Sequence, residues 1–316
     1  MNRVLITGAS GFVAKKLYLE LKKLNLTVRV TSTNTDKVLK NNIEDLILVK
    51  KVDAETNWKK ALMGIDCIFH CAGISNNLNK KNYENIYHNV NVLGTKNLAN
   101  QAAQAGVKRL IFLSSIKVNG ENTETHQVEE KFNNKSPTKP NGAYAISKLE
   151  AEKELLKIAS NTDLEVVIIR SPLIYGPGVK GNLKSLIKLI NTGIPLPLKN
   201  IKNKRSLIGI DNLVNLLIHC IEHPRAKNQI FLASDGEDFS TPELLRIIGL
   251  SMKRSVKLFP FPVSLLKFFS LCLGKKEEFN KLSQSLQIDN KYLCETLNWK
   301  PPVGFEEGIK RMVNSK

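Results

Sequence analysis

In the first half of the chain, short runs of apolar residues alternate with longer stretches in which apolar residues recur every three or four positions. The short runs predict buried β-strands, the longer stretches predict helices, and their alternation indicates βαβ units in a parallel sheet. The runs are almost wholly apolar, as expected for strands covered by helices on both faces. The predicted strands are Val4–Thr7, Thr27–Thr31, Leu46–Val52, Cys67–Cys71, Leu110–Ser114 and Glu165–Arg170, and the predicted helices are Ala14–Leu24, Trp58–Leu62, Val92–Ala105 and Ser147–Ile158.

The pattern changes after residue 170, where prolines punctuate the loops around a single predicted helix, Leu183–Ile190. A strand, a helix and a further strand are then predicted to return to the sheet, at Ser206–Ile210, Asn212–Ile221 and Gln229–Ala233. From residue 238 onward the chain is predicted to be mainly helical. We therefore expect an α/β fold, a Rossmann-like doubly wound parallel sheet formed by residues 1–170 and 201–235. A smaller, mainly helical domain is expected from residues 171–200 and 236–316.

The composition is typical of a soluble globular protein, with 316 residues of which 42% are hydrophobic and 24% are charged. No apolar run reaches the roughly 18 residues of a membrane-spanning helix, and the N-terminus lacks the pattern of a secretory signal. The five cysteines are scattered without the paired spacing of a zinc site, so no metal site is expected. These features favour a cytoplasmic protein with reduced cysteines.

The formal net charge of +18 at pH 7 is large. It is compatible with an anionic ligand, an anionic membrane surface or nucleic acid. Lysine is abundant along the whole chain, however, and no basic cluster is interleaved with aromatic residues, which make up only 6% of the chain. We therefore interpret the charge as compositional and expect no nucleic-acid partner.

Residues 261–273 form an apolar segment with a single lysine, Lys267, and are followed by Lys275 and Lys276. Two interpretations are open. The segment is either a helix lying in the interface at the inner face of a membrane, or an amphipathic helix packed on its own domain. The second is the commoner arrangement, and the first implies only weak, peripheral association.

The first predicted strand runs into Thr7–Ala14, a glycine-containing loop that opens the first helix. Gly8 allows the tight turn, Gly11 allows backbone to approach a pyrophosphate, and Ala14 permits close packing of helix and strand. The helix N-terminus offers N–H groups and a positive dipole to phosphates. With a strand before it and a helix after it, the loop predicts a dinucleotide site; its contact residues are Gly8, Ser10, Gly11, Phe12 and Val13.

The choice between NAD and NADP depends on the end of the second strand, where an acidic residue would bind the adenosine ribose. That position holds a hydroxyl residue, Ser32, which slightly favours NADP(H). No arginine occupies the usual place for a 2′-phosphate, since Arg29 lies earlier in the strand, so both cofactors stay open. Asp53 is placed either to contact the adenine or to cap the next turn.

Tyr144 and Lys148 are four residues apart, which places both side chains on one face of a helix. A lysine ammonium at that spacing can stabilise a phenolate and lower the pKa of the tyrosine. A tyrosine tuned toward neutral pH can protonate a carbonyl oxygen or deprotonate an alcohol. The spacing is common by chance, so the surrounding sequence decides its weight.

These features resemble the short-chain dehydrogenase/reductase superfamily, and more narrowly its extended branch, the NAD-dependent epimerase/dehydratase family acting on nucleotide sugars. The resemblance covers essentially the whole chain. It is carried by Thr7–Ala14, His70–Gly73, Asn91–Thr95, Ser114–Gly120, Tyr144–Lys148 and Arg170–Gly178.

The resemblance implies the roles of the site residues. Ser115 is similar to the serine that hydrogen-bonds the reacting sugar oxygen, with Ser114 as the alternative. Tyr144 is similar to the general acid/base, and Lys148 to the group that lowers the tyrosine pKa and holds the nicotinamide ribose. Two further elements are implied near the cofactor: an asparagine that steadies the active-site helix, Asn91, and lining backbone at Ala72 and Gly73.

The smaller domain is implied to bind the nucleotide sugar. Arg205 resembles the arginine that binds the substrate diphosphate, for which its forked guanidinium is suited, although it is alternatively a solvated residue of the basic run 202–205. Asn182 and Leu183 resemble the segment that meets the nucleotide. Many family members carry a second phosphate arginine that residues 281–286 lack, and Lys281 is the candidate substitute.

The resemblance implies an NAD(P)-dependent enzyme acting at C4 of a UDP-linked sugar. Residues 193–198 and 205–211 look most like a subgroup of O-antigen and surface-polysaccharide synthesis whose members reduce UDP-4-keto-6-deoxy-N-acetylhexosamines, and we favour that reaction. The alternative is 4-epimerisation of UDP-glucose or UDP-N-acetylglucosamine. Ile116 and Lys117 follow Ser115 where a dehydratase carries an acidic residue, which argues against dehydration.

A more distant alternative is a relative that has lost catalysis and acts as a cofactor sensor or an RNA-binding protein. The complete set of serine, tyrosine and lysine argues against it. Because homodimers are common in the resembled family, the resemblance also implies a homodimer.

Overall fold

The computed structural model describes residues 1–33, 43–75, 83–123 and 131–314. Its larger sheet has seven parallel strands, which are β1 (Arg3–Thr7), β2 (Thr27–Ser32), β3 (Asp45–Leu48), β4 (Cys67–His70), β5 (Arg109–Ser115), β6 (Glu165–Ser171) and β9 (Gln229–Leu232). Their order is β3-β2-β1-β4-β5-β6-β9. The order reverses between β1 and β4, and sheets of this kind bind ligands outside the carboxyl ends of the strands at that point.

Helices cover both faces of this sheet, as the apolar strands predict. One face packs on α1 (Phe12–Lys23), α7 (Ile210–His219) and α11 (Lys291–Leu297), and the other on α2 (Lys59–Leu62), α4 (Gly94–Gln104) and α5 (Gly142–Asn161). Successive strand residues alternate between the two cores: Val4 and Ile6 join the first, and Leu5 joins the second. The predicted doubly wound α/β fold is confirmed.

A second sheet of three strands lies in the later part of the chain. Its strands are β7 (Leu173–Tyr175), β8 (Arg205–Gly209) and β10 (Asp238–Phe239), in the order β10-β8-β7. A third apolar core forms around α6 (Asn182–Thr192), α8 (Thr241–Ser251) and α12 (Phe305–Asn314). The predicted division of the chain into two domains stays a prediction.

The return of the chain to the larger sheet differs from the prediction at one strand. The strand predicted at Ser206–Ile210 does not join the larger sheet, because β8 pairs with β7 on one side and β10 on the other. The edge beside β6 is taken by β9 instead. Only α7 and β9 return, and α7 packs against α1. An apolar strand pattern indicates burial but not the neighbour with which the strand pairs.

The C-terminal part carries two further helices, α9 (Val263–Cys272) and α10 (Lys276–Ser283), which pack against each other. No helix in the described part of the chain is long and apolar enough to cross a membrane. Between β4 and α4 lies a short helix, α3 (Tyr83–Tyr87), which continues into a π-helical turn at His88–Leu93.

Candidate active site

The loop after β1 is shaped to admit an anion. Gly8 has a φ of +75°, and a Cβ added there would lie 2.8 Å from Ala72 Cα, so a side chain would be both strained and crowded. Its carbonyl accepts a hydrogen bond from Gly11 N at 2.8 Å, which closes the turn. Helix α1 then begins at Phe12 with no side-chain cap and no acidic residue in its first turn. Its N-terminal N–H groups therefore suit a phosphate.

A buried histidine ties the two central strands together. His70 Nδ1 lies 2.7 Å from Thr7 Oγ1, and its Nε2 lies 2.8 Å from Thr95 Oγ1 on α4. Burial, with a smaller contribution from the charge of Lys148, lowers the pKa of His70 to about 3. The ring is therefore neutral, and it donates to one threonine while accepting from the other. Thr7 Oγ1 also accepts from Ala72 N at 3.2 Å, which positions the backbone beside Gly8.

Asn91 joins the loop after β4 to helix α5. Its Oδ1 accepts from Ile74 N at 2.8 Å, and its Nδ2 donates to Ile74 O and to Ser147 Oγ, each at 3.0 Å. Ser147 Oγ in turn donates to Tyr144 O at 2.8 Å. Asn91 is thus connected through Ser147 to the turn of α5 that carries Tyr144.

Ser115 and Tyr144 come together although they are 29 positions apart in the chain. The Ser115 side chain is a hydrogen-bond partner of the Tyr144 hydroxyl and also accepts from Lys117 N at 3.3 Å. Burial raises the pKa of Tyr144 above its ordinary value, the hydrogen bond to Ser115 lowers it, and nearby Tyr87 raises it further. The Tyr87 ring centroid lies 6.1 Å from that of Tyr144.

Lys148 is buried one turn further along α5. Its Nζ donates to Leu113 O at 2.9 Å and lies 4.4 Å from the centroid of the Phe112 ring. Burial lowers the pKa of Lys148 to about 8, against the opposing effect of Cys71 and Glu152. A Cβ added to Gly73 would lie 3.6 Å from Nζ, so the ammonium faces the glycine backbone expected to line the cofactor.

The state of Tyr144 in this structure differs from one expected effect of Lys148. The helical spacing predicted that Lys148 lowers the pKa of Tyr144, whereas burial raises that pKa above its ordinary value. The ammonium is held on the Leu113 carbonyl and the Phe112 ring instead. Sequence spacing places two side chains on one face of a helix and does not determine how far each is removed from water.

The two serines at the end of β5 have different partners. The Ser114 hydroxyl donates to Glu152, whose carboxylate is also bound by the buried guanidinium of Arg170 at distances of 2.6–3.2 Å. Arg170 NH1 donates to Asn119 Oδ1 at 2.9 Å. Ser114 is therefore engaged in a structural network, whereas Ser115 faces Tyr144.

Sequence reasoning missed this network. The feature of the sequence that could have revealed it is Glu152, a carboxylate four positions after Lys148 on the same face of a largely buried helix. A buried acidic residue requires a partner, and Arg170 at the end of β6 is that partner.

The predicted substrate residues lie on α6 and on β8 of the second sheet. Asn182 begins α6 on the surface, whereas the Leu183 side chain is fully buried in the third core, so Leu183 can offer a ligand only its backbone. Arg205 NH1 donates to the carbonyls of Lys281 and Gln284, at 3.3 and 3.1 Å. Arg205 thus ties β8 to the end of α10, where Lys281 lies.

The predicted adenosine end of the site is less distinctive. Ser32 is buried at the end of β2. The Asp53 carboxylate accepts from Glu55 N at 3.0 Å and Thr56 Oγ1 at 3.1 Å, which is the turn-capping arrangement considered from the sequence. Arg29 is bound to the Asp45 carboxylate and to carbonyls at the end of α2, consistent with its exclusion as a 2′-phosphate ligand.

Comparison with known proteins gives one family. Residues 4–233 match the model of the NAD dependent epimerase/dehydratase family. A UDP-glucose 4-epimerase of Vibrio cholerae is 41% identical over 312 residues, which cover 98% of this chain and 93% of that protein. An N-acetyl-α-D-glucosaminyl-diphospho-ditrans,octacis-undecaprenol 4-epimerase of Escherichia coli O157:H7 is 26% identical, over 93% of this chain and 86% of that protein.

Solved structures share the fold. The UDP-glucose 4-epimerase of Thermotoga maritima with UDP-glucose has a TM-score of 0.78 at 18% identity, and covers 99% of this chain and 98% of its own. The UDP-glucuronic acid 4-epimerase of Bacillus cereus in complex with NAD has a TM-score of 0.78 at 17% identity, with the same coverage. At these identities the likeness extends to the fold alone.

Proposed function

The chain belongs to the NAD dependent epimerase/dehydratase family, and we propose that it is an NAD(P)-dependent oxidoreductase acting at C4 of a UDP-linked sugar. The favoured reaction is reduction of a UDP-4-keto-6-deoxy-N-acetylhexosamine for surface-polysaccharide synthesis. The observation that carries the proposal is the contact between Ser115 and Tyr144, one helical turn from buried Lys148. Two hydroxyls of this kind can hold a carbonyl oxygen and supply its proton.

Three residues of this chain are assigned to the chemical step. Tyr144 donates the proton to the sugar oxygen, and Ser115 orients that oxygen through its hydroxyl. Lys148, whose pKa is about 8, carries a positive charge at neutral pH and is assigned to the nicotinamide ribose. The nicotinamide supplies the hydride when bound.

The residues around the β1 loop fit a dinucleotide. The cradle at Gly8 excludes a side chain, and the uncapped start of α1 offers N–H groups to the pyrophosphate. We assign the cofactor contacts to Gly8, Ser10, Gly11, Phe12, Val13, Ser32, Asp53, Ala72, Gly73, Asn91, Tyr144 and Lys148. Since Ser32 stands where a ribose-binding carboxylate would favour NAD, we propose NADP(H) over NAD(H). Equilibrium titration of the protein with each reduced cofactor tests that preference, and tighter binding of NADH would overturn it.

Residues of α6 and β8 are assigned to the UDP group. Arg205 is proposed to bind the diphosphate, with Asn182 and the backbone of Leu183 meeting the nucleotide. A guanidinium suits phosphate oxygens because its N–H groups are arranged as a fork. We further propose a homodimer that acts in the cytoplasm, and sedimentation equilibrium of the purified chain measures its assembly.

A second candidate reaction is 4-epimerisation of UDP-glucose or UDP-N-acetylglucosamine. It is favoured by the 41% identity to the protein of Vibrio cholerae named a UDP-glucose 4-epimerase. The same Ser115, Tyr144 and Lys148 would serve, because epimerisation passes through a transient ketone. Dehydration is not proposed, because Ser115 is followed by the buried apolar residue Ile116 and by Lys117, which is partly exposed and paired with Glu121.

One experiment separates the two reactions. The purified protein is incubated with a UDP-4-keto-6-deoxy-N-acetylhexosamine and NADPH or NADH, and in parallel with UDP-glucose and UDP-N-acetylglucosamine without added cofactor. We expect stoichiometric loss of the reduced-nicotinamide absorbance with the keto sugar and no change at C4 of the other two. Conversion of UDP-glucose to UDP-galactose while the ketone persists would replace the reductase by the epimerase, and no turnover in any arm would contradict both.

A further inference from the structure

Helix α9 lies at the surface of the protein and carries apolar side chains on both of its faces. The face toward the protein carries Val263 and Leu266, which pack against the third core, and Ser270, its only buried residue. The opposite face carries large apolar side chains with high exposed fractions: Leu265 46%, Phe268 58%, Phe269 51%, Leu271 48% and, just beyond the helix, Leu273 70%.

The exposed residues form a continuous stripe. Leu265, Phe268 and Phe269 follow the i, i+3, i+4 spacing of one helical face, and exposed Cys272 continues it at i+7. The rings of Phe268 and Phe269 meet edge to face with centroids 5.9 Å apart. Apolar residues at this spacing normally form the face of a helix that packs into a core, but here that face points into solvent.

Lysines border the stripe. Lys267 lies on α9 itself, and Lys275 and Lys276 lie at the turn into α10; all three are exposed, and none forms an ion pair with another described residue. Residues 259–281 hold four lysines and two glutamates within a chain of net charge +18. An apolar stripe bordered by lysines complements a bilayer surface with anionic headgroups.

We propose that the outward face of α9 docks on an anionic lipid bilayer, with Phe268 and Phe269 inserted at the level of the headgroups. With 10 residues, the helix lies along the surface and does not span it. The inference does not depend on the proposed reaction.

Docking here would also orient the substrate half of the molecule. Helix α10 packs against α9, and its end is held by Arg205 through the carbonyls of Lys281 and Gln284. The residue assigned to the substrate diphosphate is therefore joined through one helix to the surface that meets the membrane.

The test is co-sedimentation of the full chain with vesicles, without substrate. One set of vesicles is phosphatidylcholine alone, and the other is phosphatidylcholine mixed with phosphatidylglycerol. We expect binding to the mixed vesicles that weakens as salt is added, since the lysines act through screened charge. The double variant Phe268→Ser/Phe269→Ser should bind about a hundredfold more weakly, from the apolar surface that two phenylalanines would otherwise remove from water. Lys275→Gln/Lys276→Gln should bind roughly thirtyfold more weakly, because each lysine near an anionic surface contributes about 1 kcal/mol.

The matched control is Leu19→Ser/Leu24→Ser, which removes two equally exposed leucines from α1 and the turn after it. This control should bind as the unchanged chain does. An equal loss of binding in the control, or no sedimentation with either kind of vesicle, would overturn the proposal. Self-association that is lost in Phe268→Ser/Phe269→Ser without any vesicle binding would also overturn it, because a second copy of the chain would then cover the stripe.

A single substitution gives a second measurement, in which fluorescence reports insertion into the bilayer while the exposed face of α9 keeps an aromatic side chain. Phe269→Trp places an indole in the stripe, whereas both native tryptophans, Trp58 and Trp299, are buried. Mixed vesicles should shift its fluorescence to shorter wavelength, and brominated lipid should quench it. An unchanged spectrum at saturating lipid would contradict insertion.

Discussion

Helices α5 and α9 depart from the ordinary relation between polarity and burial in opposite directions. Helix α5 buries Ser147, Lys148 and Glu152, whereas α9 exposes Phe268 and Phe269. Residues with charged side chains are almost never fully buried unless paired, and contiguous exposed apolar surface marks a site of interaction. Each departure therefore indicates a function, inside the protein for α5 and at its surface for α9.

The two helices also differ in what compensates for the departure. The three buried polar side chains of α5 named above each have a partner within the chain: Ser147 has Asn91, Lys148 has the Leu113 carbonyl, and Glu152 has Ser114 and Arg170. The described residues leave the large apolar side chains on the outward face of α9 exposed to solvent, so only a partner outside the described chain could cover them. Substitutions in α5 should therefore alter catalysis or folding, whereas substitutions on the outward face of α9 should alter only binding to the bilayer.

Removal of the Tyr144 hydroxyl should have the largest effect. In Tyr144→Phe, turnover of the keto sugar should fall by about 10²–10⁴-fold because the proton donor is lost. Vesicle binding through α9 should be unchanged. The matched control, Tyr83→Phe, removes an exposed hydroxyl two rings away from the site and should turn over normally. Turnover is measured from the reduced-nicotinamide absorbance, and a Tyr144→Phe variant that keeps most of its rate would exclude Tyr144 as the proton donor.

Breaking the buried ion pair behind the site should reduce stability strongly. Arg170→Met leaves the Glu152 carboxylate buried without its charged partner, which should lower the free energy of unfolding by about 3–5 kcal/mol. Arg311→Met breaks exposed pairs with Glu307 and Asp211 and should cost less than about 1 kcal/mol. Urea denaturation measures both. Equal losses in the two variants would mean that burial does not distinguish these pairs.

The buried ammonium of Lys148 should make stability depend on pH. Its pKa in the folded protein is about 8, below the ordinary value of 10.5, so the unfolded chain binds more protons between these limits. The cation therefore destabilises the folded protein below about pH 8, and this penalty is lost as the pH rises to about 10.5. We expect the free energy of unfolding of the native chain to gain up to about 3 kcal/mol relative to Lys148→Met across that window. A difference in the free energy of unfolding between the two proteins that does not change with pH would show that the ammonium is not held away from water.

Crowding at Gly8 should have the smallest of these effects. Gly8 and Gly106 have nearly the same positive φ, +75° and +74°, but an added Cβ meets the Ala72 backbone at Gly8 and nothing within 4 Å at Gly106. Both alanine variants should lose about 1 kcal/mol from backbone strain. Only Gly8→Ala should also weaken cofactor binding, by roughly tenfold, because Ala72 must move. Cofactor titration measures this, and equal affinities in the two variants would exclude the cradle as a determinant of binding.

Local patterns predicted much of the fold and part of the site. The alternation of apolar runs and helical periodicity indicated the parallel sheet, and the glycines before α1 indicated the phosphate loop. Both depend on interactions between residues near in sequence, such as the hydrogen bond from Gly11 N to Gly8 O. The spacing of Tyr144 and Lys148 likewise predicted their shared helical face, but not the pKa of either group.

The sequence by itself determined the elements of this protein, the turn that suits a dinucleotide and the residue types available for proton transfer. Only the tertiary structure decided that Ser115 faces Tyr144 while Ser114 binds Glu152, and that β8 pairs with β7 and β10. The same holds for α9, for which the sequence left open a helix in a membrane interface and a helix packed on its own domain. The physical reason is that periodicity and turn chemistry act over a few residues, whereas burial, pairing and pKa depend on groups that the fold brings from distant parts of the chain.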